Sequence, residues 1–260
     1  MLDLRLNRVL LIAFTLVLTM YGTIAAGMYD PESADAMQSM LELLPEGMAD
    51  MFSFNDFGTN MNTYLASYLY GFIFFIFPMI YIILAGCKLV AKHVDSGSMS
   101  YLLTTPNPRR KIAVTQALFL VLSVTFIIFF NTFVIILMGV SMFPGELAVW
   151  DFIMLNTVTL SVLSFVASLV FLASVWFQDL GRAYSVSGAV VGLFFISNML
   201  KNLNDDLLFF RYFTPLSLVD SEKIYAGGMY PYLTSGIMLL SAFLVFYVAV
   251  RHFERKSLTI

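Results

Sequence analysis

The sequence predicts an all-α integral membrane protein with six transmembrane helices, and two observations support this prediction. Of the 260 residues, 60% are hydrophobic and only 12% are charged, whereas soluble domains carry about 25% charged residues. The hydrophobic residues form long runs without Asp, Glu, Lys, Arg or His. Such runs of about 18 residues or more are typical of membrane-spanning helices. We expect a single transmembrane domain over residues 1–260.

Six uncharged runs are long enough to span a bilayer. The predicted spans cover residues 9–29, 64–87, 112–142, 152–177, 183–200 and about 232–250. The third run is longer than a bilayer requires, so we expect it to tilt or to project. The first run follows Arg5 and Arg8 and ends in small residues, as a signal peptide does, but its length favours a retained span.

The basic residues predict the orientation of the spans, because positively charged loops stay on the cytoplasmic side. If both termini are cytoplasmic, most basic residues near the span ends share that side: Arg5, Arg8, Lys88, Lys92, Arg109, Arg110, Lys111, Arg182, Arg251, Arg255 and Lys256. The opposite side keeps Lys201, Arg211 and Lys223 together with most of the acidic residues. We therefore expect cytoplasmic N and C termini.

Two segments on the opposite side are more apolar than ordinary loops. Residues 31–47 carry four apolar side chains at helical spacing, which predicts an amphipathic outer helix. This helix either packs on the spans or lies in the headgroups, or it acts as an outer gate. These four are Met37, Met40, Leu41 and Leu44. Residues 201–231 contain the sequence LLFF, and backbone near lipid must be helical or shielded. We expect re-entrant or short outer helices after the fifth span.

Several classes of function are disfavoured by the composition. A charged residue inside a span is the usual sign of ion coupling or of a proton relay, and the predicted spans contain none. A phosphate-binding loop requires the dipeptide Gly-Lys, which does not occur in the chain. One cysteine and two distant histidines predict neither a disulfide framework nor a metal site. We expect no enzyme active site, no cofactor bound by this chain, and no nucleic-acid partner.

A polar insert, AKHVDSGSMSYLLTTPNPRRK at residues 91–111, separates the second and third spans. Met99, Leu102 and Leu103 fall at i, i+3 and i+4, which predicts a short helix with a small apolar face. The residues before this helix supply candidate N-caps and a flexible turn; they are Asp95, Gly97 and Ser98. Such a helix either lies on the membrane surface or fits a groove on a cytoplasmic partner.

The insert and the six-span topology together resemble the type-2 ABC transporter permeases. That family carries, after its second span, an acidic residue, Gly-Thr, Leu-Leu, a small residue, Pro and Arg. This segment is the coupling helix, which seats in a cleft of the ATP-binding subunit. The stretches LLPEGMADMF and FTPLSLVD also look like family features. The resemblance implies a coupling segment at residues 91–108 with these ATPase-docking residues: Asp95, Gly97, Ser98, Met99, Tyr101, Leu102, Leu103, Thr104, Pro106 and Arg109. Ser98 replaces the common Thr, and His93 stands where an acidic residue is frequent.

The resemblance also implies partners. Such permeases work as two six-span halves, so we expect a second copy of the chain or a sister permease. The expected location is a bacterial-type plasma membrane. ATP and Mg²⁺ are expected on the partner ATPase. Family analogy places spans one and five at the dimer interface and spans two and five along the pathway. The resulting pathway or interface residues are Tyr68, Phe72, Phe75, Pro78, Gly188 and Gly192. The two glycines permit close helix approach, and the proline is either a static kink or a hinge.

The expected cargo is hydrophobic or amphipathic, because the spans lack charge and the chain contains 26 Phe and 16 Met. The insert resembles that of the branch that exports peptides. Two other classes of function stay open at this point. An ATP-independent channel or carrier would transport without ATP and would normally show buried charges. A non-transporting scaffold would bind a partner without substrate-dependent turnover.

Overall fold

The computed structural model describes residues 2–30, 48, 60–97, 108–203 and 205–256. Within these ranges every regular element is a helix, and six stretches are long and apolar enough to cross a membrane. The predicted fold class is therefore confirmed. The helices are α1 (Leu2–Gly27), α2 (Met61–Tyr70), α3 (Ile73–Leu89), α4 (Ala91–Asp95), α5 (Arg109–Met142), α6 (Val149–Trp176), α7 (Leu180–Leu200), α8 (Ser221–Tyr225) and α9 (Tyr230–Arg255), with 3₁₀ helices at Asp205–Phe213 and Pro215–Leu218.

The helix α6 forms the centre of the bundle. It contacts α3, α5, α7 and α9, and 78% of its apolar window is buried, compared with 28% for each of α1, α7 and α9. Small residues, among them Ser161, Ser164 and Ser168, let the surrounding helices approach closely. Each of these three hydroxyls donates to a carbonyl of the preceding turn of α6 itself. The small hydroxyl residues can therefore be buried without leaving polar atoms unpaired.

The other spanning helices surround α6. The helix α5 packs between α1 and α9, and α3 packs between α1 and α7. Their outward faces expose large apolar side chains such as Ile12, Phe129, Leu193 and Phe243. An apolar exterior of this extent is incompatible with water and is typical of a protein embedded in lipid.

Two exposed tryptophans indicate where the two membrane interfaces lie along α6. Trp150 and Trp176 are the two tryptophans of the chain, and they lie at opposite ends of α6 with exposed fractions of 61% and 54%. A helical separation of 26 residues corresponds to ~39 Å at ~1.5 Å per residue. A bilayer with its headgroups is about 40–45 Å thick, and tryptophan is enriched at both interfaces. The helix α6 thus runs from one interface to the other.

The fold gathers most of the basic residues at one end of the bundle, which we call the basic end. There the start of α5 meets the ends of α6 and α9: an Arg109 Nη donates to the carbonyl of Lys256 at 2.9 Å, and Lys256 Nζ donates to the carbonyl of Val175 at 2.8 Å. At the opposite end the Tyr225 hydroxyl donates to the carbonyl of Asn62 at 3.2 Å. The charge asymmetry of the sequence is therefore an asymmetry of the folded bundle.

The structure divides the second predicted span, residues 64–87, into α2 and α3. The division lies at Gly71 and Phe72, and Phe72 has φ −143° and ψ −62°, outside the helical region. Pro78 lies inside α3 and does not end it. The helix α5 has 34 residues, or ~51 Å, so it exceeds the bilayer thickness as expected. The short helices after the fifth span are present as predicted, and the predicted outer helix at 31–47 lies outside the described residues.

Gly86 of α3 tests the central packing. A Cβ atom at this position would lie 2.8 Å from Val170 Cγ1 of α6 and 3.3 Å from Leu120 Cδ2 of α5. We expect Gly86→Val to lower the free energy of unfolding by about 1–3 kcal/mol, the usual cost of overpacking, in thermal unfolding of the purified chain. The matched control is Gly236→Val on α9, where a Cβ would meet no atom within 4 Å. Equal losses for both variants would contradict the packing of α3 on α6.

Candidate functional site

The polar insert begins at a break in the helix that leads into it. The helix α3 ends at Leu89, and α4 starts at Ala91. Between them Val90 has φ −126° and ψ −56°, which interrupts the helical path. Val90 and Ala91 are both buried, so the backbone groups at the break need partners from within the protein.

A single hydroxyl group closes this break. Ser174 Oγ, on α6, donates to the carbonyl of Cys87 at 3.1 Å and accepts a hydrogen bond from the Ala91 amide, also at 3.1 Å. In an uninterrupted helix the Ala91 amide would bond directly to the Cys87 carbonyl, four residues earlier. The Ser174 hydroxyl has thus been inserted into one helical hydrogen bond. Both backbone groups stay paired, and the start of α4 is attached to the central helix.

The same region is also attached to α7. The Cys87 thiol lies 3.4 Å from the Ser187 hydroxyl, to which it donates, and α4 packs against α7. Cys87 is fully buried, so it acts as a small packing residue between α3 and α7.

The far end of the insert is held by the same part of α6. Arg109, the first residue of α5, donates from Nη1 to the carbonyl of Lys256. Lys256 Nζ in turn donates to the carbonyls of Val175 and Trp176 at 2.8 and 2.5 Å. Burial lowers the pKa of the Lys256 ammonium. This cation at a helix C-terminus satisfies carbonyls that have no partner within α6.

We call this network of bonds the insert junction; it comprises Cys87, Ala91, Arg109, Ser174, Val175, Trp176 and Lys256. Three consecutive residues at the end of α6 hold both ends of the insert, Ser174 directly and the next two through Lys256. Sequence reasoning did not find Ser174 or Lys256. The serine is one of several in α6, and only the fold shows that its hydroxyl bridges two helices.

Three of the ten predicted docking residues lie in the described part of the chain. Asp95 is the last residue of α4, and the helix for which it is a candidate N-cap lies outside the described residues. Gly97 follows with φ +68°, a conformation that favours glycine directly after a helix. Arg109 belongs to the insert junction. The other seven lie outside the described residues: Ser98, Met99, Tyr101, Leu102, Leu103, Thr104 and Pro106.

The four predicted pathway residues of the second predicted span lie in three different surroundings. Tyr68 stacks on the rings of Tyr21 and Tyr64, with centroids 5.8 and 5.6 Å away, so it faces α1. Phe72 meets Phe195 of α7 edge-on at 5.3 Å. Phe75 and Pro78 are buried inside the bundle. The structure therefore does not bring these four residues together on one surface.

The predicted glycine pair on α7 has no close neighbour within the described chain. A Cβ atom built on Gly188 or Gly192 would meet nothing within 4 Å, although Gly-x-x-x-Gly pairs usually mark a close helix contact. Leu193, the next residue, is 62% exposed. The face of α7 that carries the glycines is thus open.

A polar cavity of about 260 Å³ lies at the opposite end of the bundle, beside the break between α2 and α3. Gly71 and Phe75 line it together with Asn198, Lys201 and Asp220. Asn198 Oδ1 is buried without a hydrogen-bond partner among the described residues. Burial lowers the pKa of the Lys201 ammonium, which Asp220 partly offsets. Sequence reasoning missed this cavity, although Asn198 near the end of an uncharged run was a visible signal.

The six apolar spanning stretches and the apolar exterior define a multi-pass membrane protein. Compared with known families, residues 2–258 match the ABC-2 family transporter proteins. The chain therefore belongs to that family. Its members are membrane components of transporters, not the ATPase, and the family implies an ABC ATP-binding partner. No curated protein matches the chain.

Removal of the Ser174 hydroxyl tests the insert junction. Ser174→Ala leaves the Ala91 amide and the Cys87 carbonyl without their shared partner, so we expect a loss of about 1–3 kcal/mol in unfolding free energy. The control is Ser168→Ala, since the equally buried Ser168 hydroxyl bonds only to the Phe165 carbonyl of its own helix. Hydrogen exchange at the Ala91 amide should also accelerate in Ser174→Ala alone. Identical stability and exchange in the two variants would show that Ser174 does not close the break.

Proposed function

We propose that this chain is the permease subunit of an ATP-driven exporter and that the insert couples it to a separate ATPase. The insert junction is the observation that carries this proposal. Ser174 of α6 bonds directly to the start of the insert, and Val175 and Trp176 hold its far end through Lys256. The helix α6 contacts four other spanning helices. A displacement of the insert by a partner would therefore reach most of the spanning helices through α6.

The proposed ATPase binds the apolar face predicted for residues 99–103. The chain itself lacks the Gly-Lys pair of a phosphate-binding loop, so ATP and Mg²⁺ belong to the partner. Since ATP is cytoplasmic, the basic end faces the cytoplasm, which agrees with the positive-inside rule. The proposed location is a bacterial-type plasma membrane, with both termini inside.

The proposed complex contains two permease halves. The open face of α7 with Gly188 and Gly192 is suited to close packing against a neighbouring helix. The helix α7 lies beside α3, and α1 also packs against α3. A second copy of the chain, or a sister permease, would cover this face and enclose a pathway between the halves.

The proposed cargo is hydrophobic or amphipathic, with peptides as the favoured class. The six predicted spans carry no charged residue, so small ionic cargo would lack compensating groups along the pathway. The polar cavity beside Gly71 offers an ammonium, an amide and a carboxylate at the opposite end. An amphipathic molecule would find apolar walls along the spans and polar groups near this end.

Two aspartates on the predicted coupling helix test the docking role. Met99→Asp with Leu102→Asp places charge on the apolar face, and burial of unpaired charge is costly. We expect the ATPase to be lost from the purified complex, while the thermal unfolding of the permease stays unchanged. Leu258→Asp with Ile260→Asp, two equivalent changes in the C-terminal segment, should retain the ATPase. If the Met99/Leu102 variant still co-purifies with its ATPase, the coupling-helix assignment is wrong.

The cargo class is tested with the reconstituted complex of permease and ATPase. Amphipathic peptides added to proteoliposomes should raise the rate of ATP hydrolysis, because cargo binding favours the state in which the ATPase subunits close. The double aspartate variant above, reconstituted with the same ATPase, should show no such increase. Stimulation by lipids or hydrophobic drugs and by no peptide would exclude peptides as the cargo.

A further inference from the structure

A groove of about 390 Å³ opens between α5 and α9 on the outside of the bundle. Its walls are apolar, with Val114 and Leu118 on α5 and Phe243 on α9 among the exposed side chains. Arg110 and Arg251 line the same groove at its basic end. The groove is therefore amphipathic along its length, with aliphatic and aromatic walls and cationic groups at one end.

The length of the groove is close to the depth of one membrane leaflet. Its lining on α5 runs from Arg110 to Val121 and on α9 from Leu239 to Arg251, which corresponds to ~16 and ~18 Å of helix. One leaflet contributes about half of the ~30 Å hydrocarbon core. The ring of His252, the residue after Arg251, stacks on Trp176 with centroids 4.4 Å apart. The arginines thus lie at the height of the interfacial tryptophan, where headgroups are found.

The charges at the basic end of the groove leave a net positive site. Glu254 lies between the two guanidinium groups, 3.8 Å from Arg110 Nε and 3.4 Å from Arg251 Nη1. Arg251 Nε also donates to the Tyr247 hydroxyl at 3.1 Å. One carboxylate cannot neutralise two guanidinium groups, and each guanidinium has five N–H donors. Donors therefore remain for an anionic group, and the side chain of Arg110 is 67% exposed.

We propose that this groove binds one anionic phospholipid from the leaflet at the basic end. The phosphate accepts hydrogen bonds from Arg110 and Arg251, for which guanidinium geometry is well suited. An acyl chain of the same lipid lies on the apolar walls between α5 and α9. In other membrane proteins, basic pockets between spanning helices bind lipid headgroups in the same way. This lipid site does not depend on the cargo or on the ATPase.

The site is tested by native mass spectrometry of the delipidated chain with added phosphatidylglycerol or phosphatidylcholine of identical acyl chains. We expect the first bound phosphatidylglycerol to bind about tenfold more tightly, the effect of one to two basic side chains beside an anionic headgroup. Equal affinity for the two lipids would mean adventitious annular lipid only and would overturn the proposal.

Two variants test the contribution of the two arginines and that of the apolar walls separately. Arg110→Gln with Arg251→Gln should reduce the preference for phosphatidylglycerol to within about twofold. Arg182→Gln is the matched control, because Arg182 is exposed on α7 at the same end and does not line the groove. Val114→Trp keeps both arginines and fills the groove at a partly exposed position, so it should weaken binding of both lipids. A preference that survives the double substitution would refute the arginine site.

A second copy of the chain is the competing occupant of the groove. Phe243 is 66% exposed at its wall, whereas the native Cys87 is fully buried. Under oxidising conditions in membranes, Phe243→Cys should therefore form no disulfide between two chains if lipid occupies the groove. Efficient disulfide cross-linking of two chains through this position would show that a second copy covers it and would overturn the proposal.

Discussion

Inside a bilayer no water is available to pair with the backbone, so every N–H and C=O group must find a partner within the protein. Side chains meet this constraint at two places where a described helix begins or is interrupted. At the break between α3 and α4, the hydroxyl of Ser174 pairs with both separated backbone groups. Near the start of α6, the side-chain amide of Asn62 donates to the carbonyl of Ala148 and accepts from its amide, at 2.9 and 2.7 Å. Side chains from neighbouring elements thus replace the missing helical bonds.

The hydrogen bonds of Ser174 and Asn62 connect the same helix, α6, to the same stretch of chain. Asn62 lies in α2 and Ala91 begins α4, so the stretch from α2 to α4 is bonded to α6 near both ends of that helix. The helix α6 is also the most buried of the spanning helices. The central position of α6 is therefore stabilised by hydrogen bonds near both of its ends and by small residues between them.

The sequence predicts the spanning helices well because composition alone determines them: a long uncharged run must enter the membrane and must become helical there. It predicts the breaks poorly. Pro78 is the strongest helix-breaking residue of the second span, yet it lies inside continuous α3. The actual division is at Gly71 and Phe72, where the Phe72 ring packs on Phe195 of another helix. Tertiary contacts, which a single sequence does not display, decide where the backbone turns.

The serines of α6 show that tertiary contacts also limit what the sequence predicts of the candidate site. Four serines at positions 161, 164, 168 and 174 are indistinguishable as small polar residues in an apolar run. Three of them donate to their own helix, and only Ser174 bridges to α3 and α4. Docking residues could be predicted because the insert carries a motif of its own. The residues that attach the insert to the bundle could not be predicted, since their partners are 80 or more positions away in the sequence.

The position of α3 connects the two polar regions of the molecule. This helix has 17 residues, or ~26 Å, and it is broken at both ends. One break lies at the insert junction and the other beside the polar cavity with Lys201 and Asn198. A helix keeps its internal bonds when it moves as a rigid body, so a displacement is absorbed at the breaks. Under the proposed function, α3 is therefore the element through which the insert at one membrane face would alter the cavity at the other.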